Sequence, residues 1–175
     1  MLKLLEKLVL LLKELLGLVP KIEEMSYIPL ENLKDYIPPM KTNEEKLLEV
    51  AIGALDTDPT SKDEVSDEVA CSEVLSTLIK KVFPDFPIIN STKDLDLKLF
   101  TDKRFKRETE PKKGRIIVSP RTNTQFGHTG LWITSERIAS NNSKNGLFQG
   151  NYDFQSWIKE FKDKRGLRIY IYSVV

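Results

Sequence analysis

The sequence predicts one α+β domain in which helices come first and a small antiparallel sheet follows. Three observations carry that expectation. Apolar residues recur at helical spacing between about 43 and 82, and β-rich runs bounded by turn residues follow Gly114 and close the chain. A length of 175 residues suffices for one sizeable core but hardly for two.

The domain is expected to begin at residue 42. Thr42 and Glu45 have the form of a capping box, and Leu47, Leu48, Ala51, Ile52 and Leu55 continue at helical spacing, so a helix is predicted near 43–55. Val74, Leu75, Leu78, Ile79 and Val82 mark the buried face of a second helix, stopped by Pro84. Residues 90–113 admit two readings, because "LDLKLF" alternates like a strand while "NSTKD" reads as a helix cap. A short helix near 92–102 is the expectation. "RIIVSP" and "TGLWIT" read as strands, and "ERIASNNS" as a strand returning from a tight turn at Ser135 and Glu136. Trp157, Ile158 and Phe161 indicate a helix over about 153–164 ended by Gly166, and "LRIYIYSVV" is the closing strand.

Two segments precede the domain. Residues 1–19 read as an amphipathic helix whose Lys3, Glu6, Lys7, Lys13 and Glu14 share about a third of its circumference at roughly 100° per residue. A helix over residues 2–16 spans about 22 Å, short of the roughly 30 Å hydrocarbon core, and its internal charges spoil the apolar region of a secretory signal. Its wide apolar arc calls for a second surface, either self-association or the face of a membrane. Pro20, Pro29, Pro38 and Pro39 make 20–41 a linker.

Composition narrows the chemistry. Lys plus Arg (27) nearly balances Asp plus Glu (26), so no global charge points to nucleic acid, and none is expected as a partner. A single cysteine excludes an intrachain disulfide, and a single histidine excludes zinc sites built from several Cys and His ligands. "DTDPTSKDEVSDE" lacks the turn glycine of a calcium loop and carries Pro59, so it reads as an acidic capping loop.

If this chain runs Cys/His chemistry, the pair is Cys71 and His128. Cys71 falls in the first turn of the second helix or just before it, where free backbone N–H groups favour a thiolate and can hold a developing oxyanion. His128 opens a strand at "GHTG", and a histidine there can take the thiol proton and return it to a leaving amine. The next strand brings Asn141, whose amide can fix the imidazole tautomer, with Asn142 as its rival because a one-residue slip flips a strand side chain to the other face. Each residue also has an ordinary reading. Cys71 shares a helical face with Leu75, Leu78 and Val82 and fits a core, and a histidine between glycines fits a turn.

The segments "VACSEVLS", "GRIIVSP", "GHTGLW" and "IASNNS" resemble those of papain-like cell-wall hydrolases of the CHAP and NlpC-like type, over about residues 55–172. Phage endolysins of this kind also carry segments similar to "SNNSKNG" and "NYDFQSW". The resemblance implies a papain-like cysteine hydrolase fold for 42–175, with Cys71 as nucleophile, His128 as general base and Asn141 orienting the histidine. Arg115 stands where the family usually has the Asp of a "GD" pair, and "CSE" follows its own pattern after the nucleophile.

The function expected is cleavage of an amide bond in bacterial peptidoglycan through an acyl-enzyme, as an amidase or endopeptidase, without metal or cofactor. Gln125 and Trp132, beside the "SPRTNTQF" loop, are candidate substrate contacts. With no cleavable signal evident, the protein is expected to be made in the cytoplasm and to act on the wall after release or delivery. The alternative is a non-catalytic papain-like module that binds cell wall or serves in a phage particle. A carboxylate glycosidase has no nominated residue pair.

Overall fold

The computed structural model describes residues 40–60 and 70–175. The expected N-terminal helix, and all of the linker except Met40 and Lys41, lie outside the described residues, as does most of the acidic loop. Among the described residues three helices come first: α1 (Asn43–Gly53), α2 (Cys71–Val82) and α3 (Thr92–Thr101). Six strands make one sheet: β1 (Phe105–Glu108), β2 (Ile116–Ser119), β3 (His128–Trp132), β4 (Ile138–Asn141), β5 (Phe148–Tyr152) and β6 (Tyr170–Val174). Their order is β1-β6-β2-β3-β4-β5, and every pairing is antiparallel. Between β5 and β6, a short helix α4 (Phe154–Trp157) widens into a π-helix (Ile158–Lys164). The fold is therefore α+β, helices first and antiparallel sheet after.

Local chemistry explains the helix starts. Thr42 and Glu45 form the reciprocal capping box of α1, and Ser91 accepts from the Asp94 N–H at the start of α3. The cap decides the ambiguous stretch in favour of helix, and Leu95 and Leu99 then turn inward. Asp153 and Ser156 cap α4 in the same reciprocal way.

Two strands had no counterpart in the sequence expectation, β1 and β5, and they are the two edges of the sheet. An edge strand needs only one partner and packs little of its length, so its apolar signal is weak. In β1 only Phe105 is buried, followed by Lys106, Arg107 and Glu108, and in β5 only Phe148 is buried. The inner strands read clearly because both of their faces are covered. Ile116, Val118, Leu131 and Ala139 pack against Leu47, Val74, Leu75 and Leu78 of the first helices. Ile117, Trp132, Ile138 and Ile171 pack on the opposite face against Trp157, Phe161 and Leu167. At about 1.5–3 kcal/mol per fully buried large apolar side chain, these two layers hold the sheet between them.

Candidate active site

Cys71 is the first residue of α2 and His128 the first residue of β3, one of the two innermost strands. Helix α2 packs on the sheet through Val74, Leu75 and Leu78, which sets its N-terminus at the end of β3 where the histidine sits. The Thr129 hydroxyl donates to the Cys71 carbonyl oxygen across 2.8 Å and ties the two elements together at that point. Strand alternation then matters. Thr129 faces α2, whereas His128 turns to the other face, so cysteine and histidine reach the shared cleft from the two sides of β3.

That cleft, about 350 Å³, is lined by Cys71, His128, Arg121, Phe126, Tyr152 and Arg165 among others. The imidazole is stacked on Phe161 at 5.1 Å between centroids and 15° between planes, with Trp157 and Tyr152 completing an aromatic cradle. The π-helix supplies Phe161 and ends beside Arg165; widened turns of this kind recur at functional sites. Desolvation in the cradle, with the Arg165 charge second, pushes the His128 pKa down to about 3. Burial likewise pushes the Cys71 thiol up, opposed by hydrogen bonds from the Thr129 N–H and from Ser72. The resting pair is thus a neutral thiol and a neutral imidazole.

His128 Nε2 lies 3.0 Å from Ser140 Oγ, and Ser140 Oγ donates to Asn151 Oδ1 across 2.7 Å. A hydroxyl has one proton, and here Asn151 takes it. Ser140 therefore accepts from Nε2–H, which leaves Nδ1 as the nitrogen with a lone pair. Asn141, expected to orient the histidine, follows Ser140 on β4, and its pairing with the buried Phe148 places it on the α2 face of the strand. Asn142 belongs to the β4–β5 turn, where its Oδ1 accepts from the Lys144 N–H and its Nδ2 donates to Gln149.

The expected substrate contacts fare differently. Trp132 is 1% exposed and packs against Phe154 in the second apolar layer, so it is a core residue and not a cleft wall. Gln125 is exposed on its loop, where its N–H donates to Thr122 Oγ1, while the loop's cleft-lining residues are Arg121, Phe126 and Gly127. Both glycines of "GHTG" are sterically required. A Cβ on Gly127 would overlap Ser119 O and Thr92 Oγ1, and one on Gly130 would stand 2.7 Å from Ile138 Cγ2 and 2.8 Å from Ala139 O.

Nothing in the sequence singles out Ser140, Asn151 or Tyr152 as site residues, and Phe161 is legible there only as part of a helix face. The signal that could have found Ser140 is register: Leu131 pairs with Ala139, which sets Ser140 on the histidine's face beside the side-chain-free Gly130.

The fold and site together define an α+β protein with a helix-borne cysteine packed on an antiparallel sheet and a histidine opening an inner strand. A solved structure with this fold is the crystal structure of the type VI native effector–immunity complex Tae3–Tai3 from Ralstonia pickettii. One chain of that complex is similar to the present one with a TM-score of 0.50 at 15% identity, over 77% of this chain and 100% of that one. No protein-family model matches the sequence, and no curated protein is recognisably similar to it.

Proposed function

We propose that this protein is a cysteine hydrolase that cleaves an amide bond in bacterial peptidoglycan. The observation that carries the proposal is the meeting of Cys71 and His128 in one cleft, with the tautomer of His128 set by Ser140. The likeness to a chain of an effector–immunity complex supports it at the level of fold, and the resemblance of "VACSEVLS" and "GHTGLW" to cell-wall hydrolases supplies the substrate class.

In this reading Cys71 Sγ attacks the amide carbonyl carbon as the thiol proton passes to His128 Nδ1. The oxyanion forms against N–H groups of the first turn of α2. His128 gives its proton to the leaving nitrogen as the C–N bond breaks, leaving a thioester. Water then attacks the thioester carbon, its proton goes to Nδ1, and the sulfur leaves and is reprotonated. Because thiol and imidazole both rest neutral, proton transfer accompanies attack. Ser140 and Asn151 are positioning residues for the base.

A second reading has a specific observation in its favour: Cys71 is 6% exposed with a raised thiol, as in a core cysteine. In that case the domain binds cell wall or a protein partner without catalysis. The test is incubation with purified peptidoglycan. The hydrolase releases free amino groups and no reducing ends, and Cys71→Ser stops the release. Full activity in Cys71→Ser, or release of reducing ends, ends the proposal. No release, together with a thiol inert to alkylating reagents while the protein is folded, establishes the binding module.

A further inference from the structure

We propose that Arg121 is the specificity-determining residue of this cleft and that it takes a free carboxylate of the peptide flanking the scissile amide. The inference rests on the hydrolase reading above and names its substrate class: an acidic stem peptide in which that carboxylate is not amidated.

Among the described residues two cations line the cleft, and they differ in what already occupies them. Arg165 is committed within the protein. Its Nε and Nη2 both donate to Glu160 Oε1, at 3.0 and 2.6 Å, and its Nη1 donates to the Phe126 carbonyl at 3.3 Å. Among the described residues no carboxylate pairs with the Arg121 guanidinium, and no carboxylate lines the cleft. Arg121 also has a fixed root. Its backbone N–H donates to Thr92 Oγ1 across 2.8 Å, and Gly127 lies so close beneath that no side chain fits there.

Next to the guanidinium stands Phe126, whose ring centre is 6.0 Å away and which is 64% exposed at the cleft rim. An exposed cation rooted through its backbone beside an uncovered aromatic face suits a peptide that presents a carboxylate on an alkyl stem. The planar guanidinium fork matches a carboxylate through two parallel hydrogen bonds, whereas a carboxamide can accept only on one side and carries no charge.

The test uses a soluble disaccharide-peptide with free carboxylates and the same compound with those groups as carboxamides. Binding to full-length Cys71→Ser is measured by calorimetry, with Arg121 intact and with Arg121→Gln, and turnover is measured with Cys71 intact. The carboxamide is expected to bind about tenfold or more weakly. Arg121→Gln should lose about the same factor for the carboxylate form and little for the carboxamide, raising KM with kcat unchanged, and Arg121→Lys should recover part of it. Equal binding of the two forms, or no binding of either, overturns the inference. Loss in Arg121→Gln that ignores amidation also overturns it and assigns the residue to another anion, such as a wall-polymer phosphate. If discrimination persists but turnover is absent with Cys71 intact, the hydrolase reading fails while the carboxylate subsite stands.

Discussion

The hydroxyl of Thr129 donates to the carbonyl oxygen of Cys71 across 2.8 Å, so the residue next to the histidine holds the backbone of the cysteine. Thr129 is buried on the face of β3 that meets α2, and this bond is a direct link between the strand and the start of the helix. Thr129→Val keeps the shape and removes the bond. Leaving a buried carbonyl without that donor is expected to cost about 1–3 kcal/mol in denaturant unfolding. Cys71 should then alkylate at a changed rate while the fold is kept. Unchanged stability and unchanged alkylation would show that the contact does not hold the site.

The buried imidazole makes the fold acid-sensitive in a defined window. An unfolded chain protonates His128 near pH 6.5 and the folded one near pH 3, so between these values the unfolded state binds more protons. The stabilising contribution of neutral His128 is complete above pH 6.5 and is lost as pH falls toward 3. Because the ring keeps an edge in the cleft, the loss is on the order of 2–4 kcal/mol, below what the full shift implies. His128→Gln should flatten that part of the stability–pH curve relative to wild type. Parallel curves for the two proteins would refute the assignment.

The chain from His128 through Ser140 to Asn151 predicts graded kinetics. Ser140→Ala should lower kcat/KM by on the order of 10–100-fold, since the base loses its orientation but no reacting group. Asn151→Asp keeps the acceptor and adds a negative charge, which favours the imidazolium and should move the acid limb of the pH–rate profile upward. Asn141→Ala should leave that limb in place. A limb that shifts in Asn141→Ala and not in Asn151→Asp would return the orienting role to Asn141.

At Gly130, β4 and the Trp157 ring approach β3 too closely for a side chain, with Trp157 Cζ3 3.2 Å from the position of a Cβ. Gly130→Ala pushes a methyl into Ile138 and the Ala139 carbonyl, a cost of about 1–3 kcal/mol or more from overpacking. A lowered thermal midpoint and a changed Trp157 fluorescence are the expected signs. A midpoint equal to wild type would mean that the sheet opens there without strain.

The amino-acid order alone specifies the elements whose signal is local or doubly covered. The Thr42–Glu45 box, the helical spacing of Val74, Leu75, Leu78 and Ile79, and the apolar runs of β2, β3 and β6 are legible because each encodes its own period and ends. It also reduced the candidate pair to Cys71 and His128, because there is one of each. Features that depend on register and face emerge only once the strands have paired. The edge strands β1 and β5 carry one buried residue apiece and gain their identity from the neighbour they pair with. Trp132 and His128 are four residues apart on one strand face, yet Phe154 covers the first and the cleft admits the second. Ser140 meets the imidazole because period-two alternation turns a one-residue difference into opposite sides of the sheet, and only strand pairing sets which side that is.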